Sequence, residues 1–249
     1  MKKTVIITGA SSGFGEAIAL HLSKFGFDLA LGARRLDRLE KLKKQIGNSA
    51  DVFIHELDVQ STKSVENFTN AALEYFGNVD HLINNAGLAL GLDPVETSKE
   101  SDWETMWQTN VMGVVRVTQK ILPHLKPGSK IINVGSVSGL ETYEGGAAYC
   151  SSKHALRAVT QTLRYELMEK GISVTSLDPG MAETEFSKVR FRQDDQRAKK
   201  VYEGLQPLSG QDIAEVASFL LSRPAHVNIE SILVMPLAQS TGKRIIRKS

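Results

Sequence analysis

Apolar residues along this chain fall into short β-branched or aliphatic runs that alternate with longer stretches of helical period. Thr4 to Thr8 is the first run and reads as a strand buried on both faces. A helical pattern follows from Glu16 to Phe25, then a strand from Asp28 to Gly32 and a helix from Leu36 to Gln45. Val52 to Leu57 is the next strand, and Ser61 to Phe76 an amphipathic helix with Leu73 and Phe76 toward the core. The chain continues with a strand from His81, a long helix from Ser101 to about Leu122, and a strand from Lys130 to Val134. A helix from about Gly146 to Lys170 and a strand from Ser173 to Leu177 complete the regular part. Thr184 to Leu208 is the least regular stretch, and such long excursions in compact domains are often lids. Gln211 to Leu221 is a helix and Ile232 to Met235 a final buried strand, before a basic tail from Gly242 to Ser249. Strictly alternating β and α elements predict an α/β fold, a parallel sheet covered by helices on both faces. With no internal repeat or low-complexity linker, residues 1–249 read as a single domain.

Composition narrows the class. Hydrophobic residues at 41% and charged residues at 23% are globular values. A net charge of +2 is too small to make nucleic acid or a membrane surface the main partner. Cys150 is the only cysteine, which excludes an intrachain disulfide and a cysteine-based metal site and fits a reducing compartment. Neither a signal-peptide core nor a stretch of membrane-spanning length is visible, so a soluble cytoplasmic protein is expected.

The first strand runs into Thr8-Gly9-Ala10-Ser11-Ser12-Gly13-Phe14-Gly15 and then a helix. Strand, glycine-rich turn and helix N-terminus together form an anion site, because backbone N–H groups point outward and the dipole favours negative charge. Gly9 suits the tight turn, Gly13 lets backbone approach a pyrophosphate, and Gly15 lets helix and strand pack closely. The second strand leads to Arg34-Arg35, where NAD-binding proteins carry an acid for the ribose hydroxyl. Two guanidinium groups suit a 2′-phosphate instead, with Ser11 as a further candidate. This pattern points to NADP(H). Asp58-Val59 ends the third strand, where a carboxylate could meet an adenine amino group. Asn84-Asn85-Ala86-Gly87 ends the fourth in small residues that let a cofactor lie close. Trp103 and Trp107, one helical turn apart, read as packing residues.

Tyr149 and Lys153 lie four residues apart on one helix face. An ammonium beside a phenol favours the phenolate and lowers its pKa, which suits a tyrosine for proton exchange with an alcohol oxygen. Tyr-x-x-x-Lys alone commonly marks an exposed helix pair; its company here gives it meaning.

Taken in order, Thr8-Gly9-x-x-x-Gly13-x-Gly15, Asn84-Asn85-Ala86-Gly87, Asn110, Ser136, Tyr149-x-x-x-Lys153 and Pro179-Gly180 with Thr184 resemble the short-chain dehydrogenase/reductase family along the whole chain. Ser136 lies thirteen residues before Tyr149, a common family spacing. The resemblance implies one Rossmann-like, doubly wound domain with seven parallel strands, assembled as a dimer or tetramer. It implies Tyr149 as general acid/base, and Lys153 as the group that lowers its pKa and holds the nicotinamide ribose. Ser136 would orient the substrate oxygen, in preference to Ser138, and Asn110 would hold a water in a relay to Lys153. Ser11, Ser12 and Phe14 join the glycines around the cofactor; Asn85, Ala86 and Gly87 line it; Thr184, beyond Pro179-Gly180, would hold the carboxamide. No metal is implied.

Asn85 to Gly91, Thr184 to Phe191 and Arg223 to Ile229 resemble more closely the NADP-dependent 3-hydroxy acid dehydrogenase branch, which includes serine and malonic semialdehyde enzymes. Sulfoacetaldehyde reductases look similar over the same stretches. The expected substrate is therefore a small anionic hydroxy acid or its semialdehyde. Lys188, Arg190 and Arg192 stand in the excursion, and Arg190 is the candidate to grip the anion with a two-point fork. Reductases of sulfoacetaldehyde or of neutral, bulkier carbonyls are the enzymatic alternative. A non-catalytic NADP(H)-binding regulator is the remote one, since such proteins usually lose the tyrosine or lysine retained here.

Overall fold

Successive residues of the first strand face opposite ways, and this single alternation builds both halves of the protein. In the computed structural model, which describes residues 2–242 and 244–247, β1 spans Lys3–Thr8. Its Val5 and Ile7 enter one core and Ile6 the other. The same division recurs in β2 (Phe27–Ala33), β4 (His81–Asn84) and β5 (Lys130–Val134). With β3 (Val52–Glu56), β6 (Ser173–Pro179) and β7 (Ser231–Val234), they form one parallel sheet in the order β3-β2-β1-β4-β5-β6-β7.

Helices α1 (Gly13–Leu22), α2 (Leu36–Ile46) and α9 (Gly210–Ser222) cover the first face. Residues of α3 (Thr62–Phe76), α5 (Gly113–Ile121) and α6 (Ala147–Leu167) pack on the second. The expected doubly wound architecture is thus present. Strand order reverses between β1 and β4, and in such sheets a ligand crevice opens beyond the carboxyl ends at that point.

Three local expectations change. The predicted long helix is two, α4 (Glu100–Trp107) and α5, joined by a π turn over Gln108–Met112. Gly113 N donates back to Gln108 O, and a Cβ at Gly113 would stand 2.7 Å from Val59 Cγ2. The wider turn places Asn110 inward, fully buried. Trp103 is half-buried and donates its indole N–H to Ser98 Oγ at 2.9 Å, but Trp107 is exposed rather than packed. β7 is a half-exposed edge strand, not a buried one, because only β6 pairs with it among the described residues.

The excursion holds two short helices, α7 (Phe186–Arg190) and α8 (Asp195–Lys200). Arg192 and Gln193 between them adopt left-handed φ of 54° and 71°, a conformation that stops α7 and turns the chain. Of the expected basic tail, Lys243, Lys248 and Ser249 lie outside the described residues. Gly242 N donates to Glu141 Oε2 at 2.7 Å, and the Arg247 guanidinium donates to Val201 O at 3.0 Å and to Glu203 O. The tail therefore lies against the excursion. Among the described residues no helix is long and apolar enough to cross a membrane.

Phe68 on α3 is wholly buried in the second core. Phe68→Ala should lower the unfolding free energy by about 3–5 kcal/mol, read as a shifted midpoint in chemical denaturation.

Candidate active site

A cavity of about 500 Å³ opens along the carboxyl ends of the strands. Every site residue expected from sequence lines it except Gly15 and Asn110, which stand behind its wall.

At the β1–α1 turn, Gly9 and Gly13 adopt φ of +67° and +59°. A Cβ at Gly9 would come 2.8 Å from Ala86 Cα, and one at Gly15 2.5 Å from Gly9 O. Both clashes involve backbone, so neither position accepts a side chain without moving the turn. Thr8 Oγ1 accepts from Asn85 N and Ala86 N, each at 3.0 Å, while Asn85 Nδ2 donates to Thr8 O at 2.9 Å. These bonds staple the two loops together. The Ser12 side chain does not cap α1; its hydroxyl accepts from Arg35 Nη2 at 2.8 Å. The first N–H groups of α1 are thus left for an anion in the cavity, and the turn fits a dinucleotide pyrophosphate.

The expected arginine pair divides. Arg35 donates to Ser11 Oγ and Ser12 Oγ, while Arg34 is exposed with no side-chain partner among the described residues. Arg38, which the sequence reading missed, joins Arg35 in an ion pair with Glu185 at the foot of α7. Asp58 is half-buried, and its Oδ1 accepts from Gln60 N at 3.0 Å.

Tyr149 and Lys153 both sit on the buried face of α6. Lys153 Nζ donates to Val134 O at 2.9 Å and lies 5.9 Å from the Tyr149 ring centre. Burial pushes Lys153 down to about 8, against the pull of Asp178. The Tyr149 phenol is pushed up, contrary to the expectation that Lys153 lowers it. Desolvation outweighs the opposing effects of the Ser136 hydroxyl and the Arg190 charge. Ser136 is thus the serine beside Tyr149, whereas Ser138 bears on Tyr143. Asn110 donates Nδ2 to Leu88 O at 2.9 Å and Ser152 Oγ at 3.0 Å, and its Oδ1 accepts from Leu88 N at 2.9 Å. These bonds tie the Asn110 side chain to the β4 loop and to α6.

Sequence reasoning also missed Asp178, Tyr143, Phe186 and Gln239. Asp178 Oδ1 accepts from Ser136 N at 3.1 Å and Ser176 Oγ at 2.8 Å, and a Cβ at Gly135 would meet it at 1.9 Å. It holds the Ser136 loop in place. Phe186 stacks edge-on with Tyr149 at 5.5 Å between ring centres. Gln239 Oε1 accepts from Met181 N at 2.8 Å and helps wall the cavity from the chain's end. Only Asp178 carried a sequence signal, as the last acid before a Pro-Gly strand end.

Arg190 donates to Gly91 O at 3.2 Å and to the Tyr143 hydroxyl. Its guanidinium carbon lies 5.3 Å from the Tyr143 ring centre and 5.5 Å from that of Tyr149. No carboxylate pairs with it among the described residues, whereas Lys188 pairs with Asp195 and Arg192 with Asp102. Thr184 borders the cavity beside Gly13, its Oγ1 accepting from Phe186 N at 3.2 Å.

The sequence profile of the short chain dehydrogenases matches residues 3–195. The chain belongs to the short-chain dehydrogenase family. An NADP-dependent 3-hydroxy acid dehydrogenase from Schizosaccharomyces pombe is 42% identical, covering 99% of this chain and 97% of that protein. Sulfoacetaldehyde reductase 2 from Chromohalobacter salexigens is 40% identical, covering 96% of each. Among solved structures, the closed form of serine dehydrogenase complexed with NADP+ superposes with a TM-score of 0.91 at 36% identity. That match covers 99% of this chain and 100% of the other. The family membership accounts for the fold and for the order of the motifs; which small molecule this chain acts on is a separate question.

The lowered Lys153 pKa has a consequence for stability. Between about 8 and the ordinary 10.5 the unfolded chain binds the proton that the folded chain has released, so stability rises with pH there. Lys153→Met removes this dependence. Its stability advantage over the wild type at pH 7 should shrink as pH rises through that window, measured as denaturation midpoints without cofactor.

Proposed function

We propose that this protein is an NADP(H)-dependent oxidoreductase that interconverts a small anionic hydroxy acid with its carbonyl form, such as a 3-hydroxy acid and its semialdehyde. The observation that carries the substrate class is Arg190, a guanidinium in the cavity beside Tyr149 with no acid paired to it among the described residues. A carboxylate or sulfonate would supply that charge through two parallel hydrogen bonds. Dependence on NADP(H) rests on the glycine turn, the Arg35 cluster, and the relatives named for it.

In this reading Ser11, Ser12, Gly13 and Phe14 hold the phosphates, Arg34 and Arg35 the 2′-phosphate, and Asp58 and Val59 the adenine. Asn85, Ala86, Gly87, Pro179, Gly180 and Thr184 line the nicotinamide half. NADPH supplies the hydride when bound. Ser136 orients the carbonyl oxygen and Tyr149 gives it a proton. Its raised pKa keeps the phenol protonated, which is the form reduction needs. Lys153 is the next proton carrier, because burial sets it near neutral pH. Asn110 would hold a water in a relay to Lys153, its side chain fixed by Leu88 and Ser152. Asp178, behind Ser136 and Lys153, is a positioning residue. A cytoplasmic dimer or tetramer belongs to the same reading; the edge strand β7, with Leu233 exposed, is one surface available for assembly.

Tyr149→Phe should lower turnover by about 10²–10⁴-fold or more while NADPH still quenches or shifts protein fluorescence as in the wild type. Near-normal turnover would remove Tyr149 from the mechanism.

The substrate class is tested by initial rates with NADPH against carboxylated, sulfonated and neutral small aldehydes. Arg190→Leu should lower kcat/KM for the anionic members by about 10- to 150-fold, the range of a charge-assisted hydrogen bond. A neutral aldehyde of similar size should lose little. Equal losses for both would make Arg190 a lid-closing residue, and no loss for either would reopen the substrate class.

A further inference from the structure

The Arg35 cluster, proposed above to take the 2′-phosphate, already holds an anion of the chain's own. Glu185 Oε2 accepts from Arg35 Nη1 at 3.0 Å, and Oε1 accepts from Arg38 Nη1. Burial pushes the Glu185 carboxyl up, but the hydrogen bonds and charges of Arg38 and Arg35 outweigh it and hold it below the usual range. It is ionised throughout the neutral range. Ser11, Ser12, Arg35 and Glu185 all border the main cavity. Arg35 has no idle fork: Nε and Nη2 are spent on Ser11 and Ser12, and Nη1 on Glu185.

We propose that Glu185 is a coenzyme-specificity residue, an internal anion that the 2′-phosphate of NADP(H) displaces from Arg35 and Arg38, freeing the foot of α7. This rests on the placement of the 2′-phosphate at Arg35 argued above. Two anions cannot both take the same guanidinium donors, and a dianionic phosphate beside a carboxylate adds repulsion. The exchange is demanded by NADPH and not by NADH, which brings a neutral hydroxyl to that point. Glu185 therefore acts against NADPH selectively. Its release is felt at the reacting end, because Phe186 packs on Tyr149 and Arg190 lies over it, both on α7. Linkage makes the effect reciprocal: whatever the phosphate does to the lid, the lid's hold on Glu185 does to phosphate affinity.

The test uses the whole protein with 2′,5′-ADP and 5′-AMP, two probes that differ only by the phosphate in question. Affinities are measured by calorimetry for the wild type, Glu185→Gln and Arg35→Ala. Glu185→Gln should bind 2′,5′-ADP about 2- to 30-fold more tightly, the span of two half-exposed ion pairs, with 5′-AMP unchanged. Tryptic cleavage in the lid, at Lys188, Arg190 or Arg197, should change in rate when 2′,5′-ADP is added to the wild type and stay put with 5′-AMP. In Glu185→Gln the lid should already show the altered rate without either probe. Unchanged or weaker 2′,5′-ADP binding in Glu185→Gln, or equal gains for both probes, would overturn the proposal. Arg35→Ala separates the two readings. If it leaves 2′,5′-ADP binding intact, the phosphate lies elsewhere and the underlying placement fails. If it weakens binding and Glu185→Gln changes nothing, the placement stands and the displacement is wrong.

Discussion

A buried ammonium and a buried phenol one helical turn apart are the constraint on which this site depends. Neither Lys153 nor Tyr149 has ready access to solvent, and each group's ionised form is disfavoured by the loss of water. The surroundings offset that loss from several elements at once. Val134 O at the end of β5 accepts from Lys153, and Asp178 at the end of β6 supports its charge through space. Ser136 and Arg190 act on Tyr149 from the loop after β5 and from the excursion. The pair is therefore positioned only when four separate segments are in place, which couples its geometry to correct folding of the sheet's whole carboxyl edge.

The same edge explains why residues distant in sequence converge. In a parallel sheet every strand ends on the same side, so Thr8, Asn84, Val134 and Asp178 deliver their following loops to one crevice. Glycine keeps those loops close. At Gly135 a side chain would collide with Asp178, and at Gly9 with Ala86, so the loops touch through backbone and leave the cavity between them. The π turn serves the same end from the helical side, because it brings Asn110 under Leu88 and ties the β4 loop to α6 through Ser152.

The elements and the glycine turn were legible because they rest on local pattern: β-branched runs, helical period, and glycines at fixed spacing. Tyr149 and Lys153 were legible because i,i+4 spacing puts both on one helix face whatever the rest does. The direction of the Tyr149 shift was not, since it is set by how much water the folded chain excludes, and spacing carries no burial. Tyr143, Phe186 and Glu185 were missed for a related reason. Each acts through a partner 47, 37 or about 150 residues away, and only the packing of the excursion reveals the contact. The exposed Trp107 and the half-exposed β7 show the converse error, in which an apolar residue was taken for a buried one.

Helix α7 links the Arg35 cluster to Tyr149. Glu185 and Arg190 bracket one turn and a half of helix, roughly 7–8 Å at the rise of an α-helix. One end is ion-paired to the cluster behind the glycine turn, and the other lies over the Tyr149 ring. In the proposed displacement, a change of anion at one end would reach the other as a shift through this short segment. Arg192 and Gln193, in left-handed conformations just beyond, are the natural place for the chain to absorb that shift. The contacts of Arg190 with Gly91 O and Tyr143 then limit how far the segment travels. A substrate anion competing for that guanidinium would loosen those contacts as it binds. Under the proposed function, both ends of the segment are held by charges for which the protein's own groups and its ligands would compete.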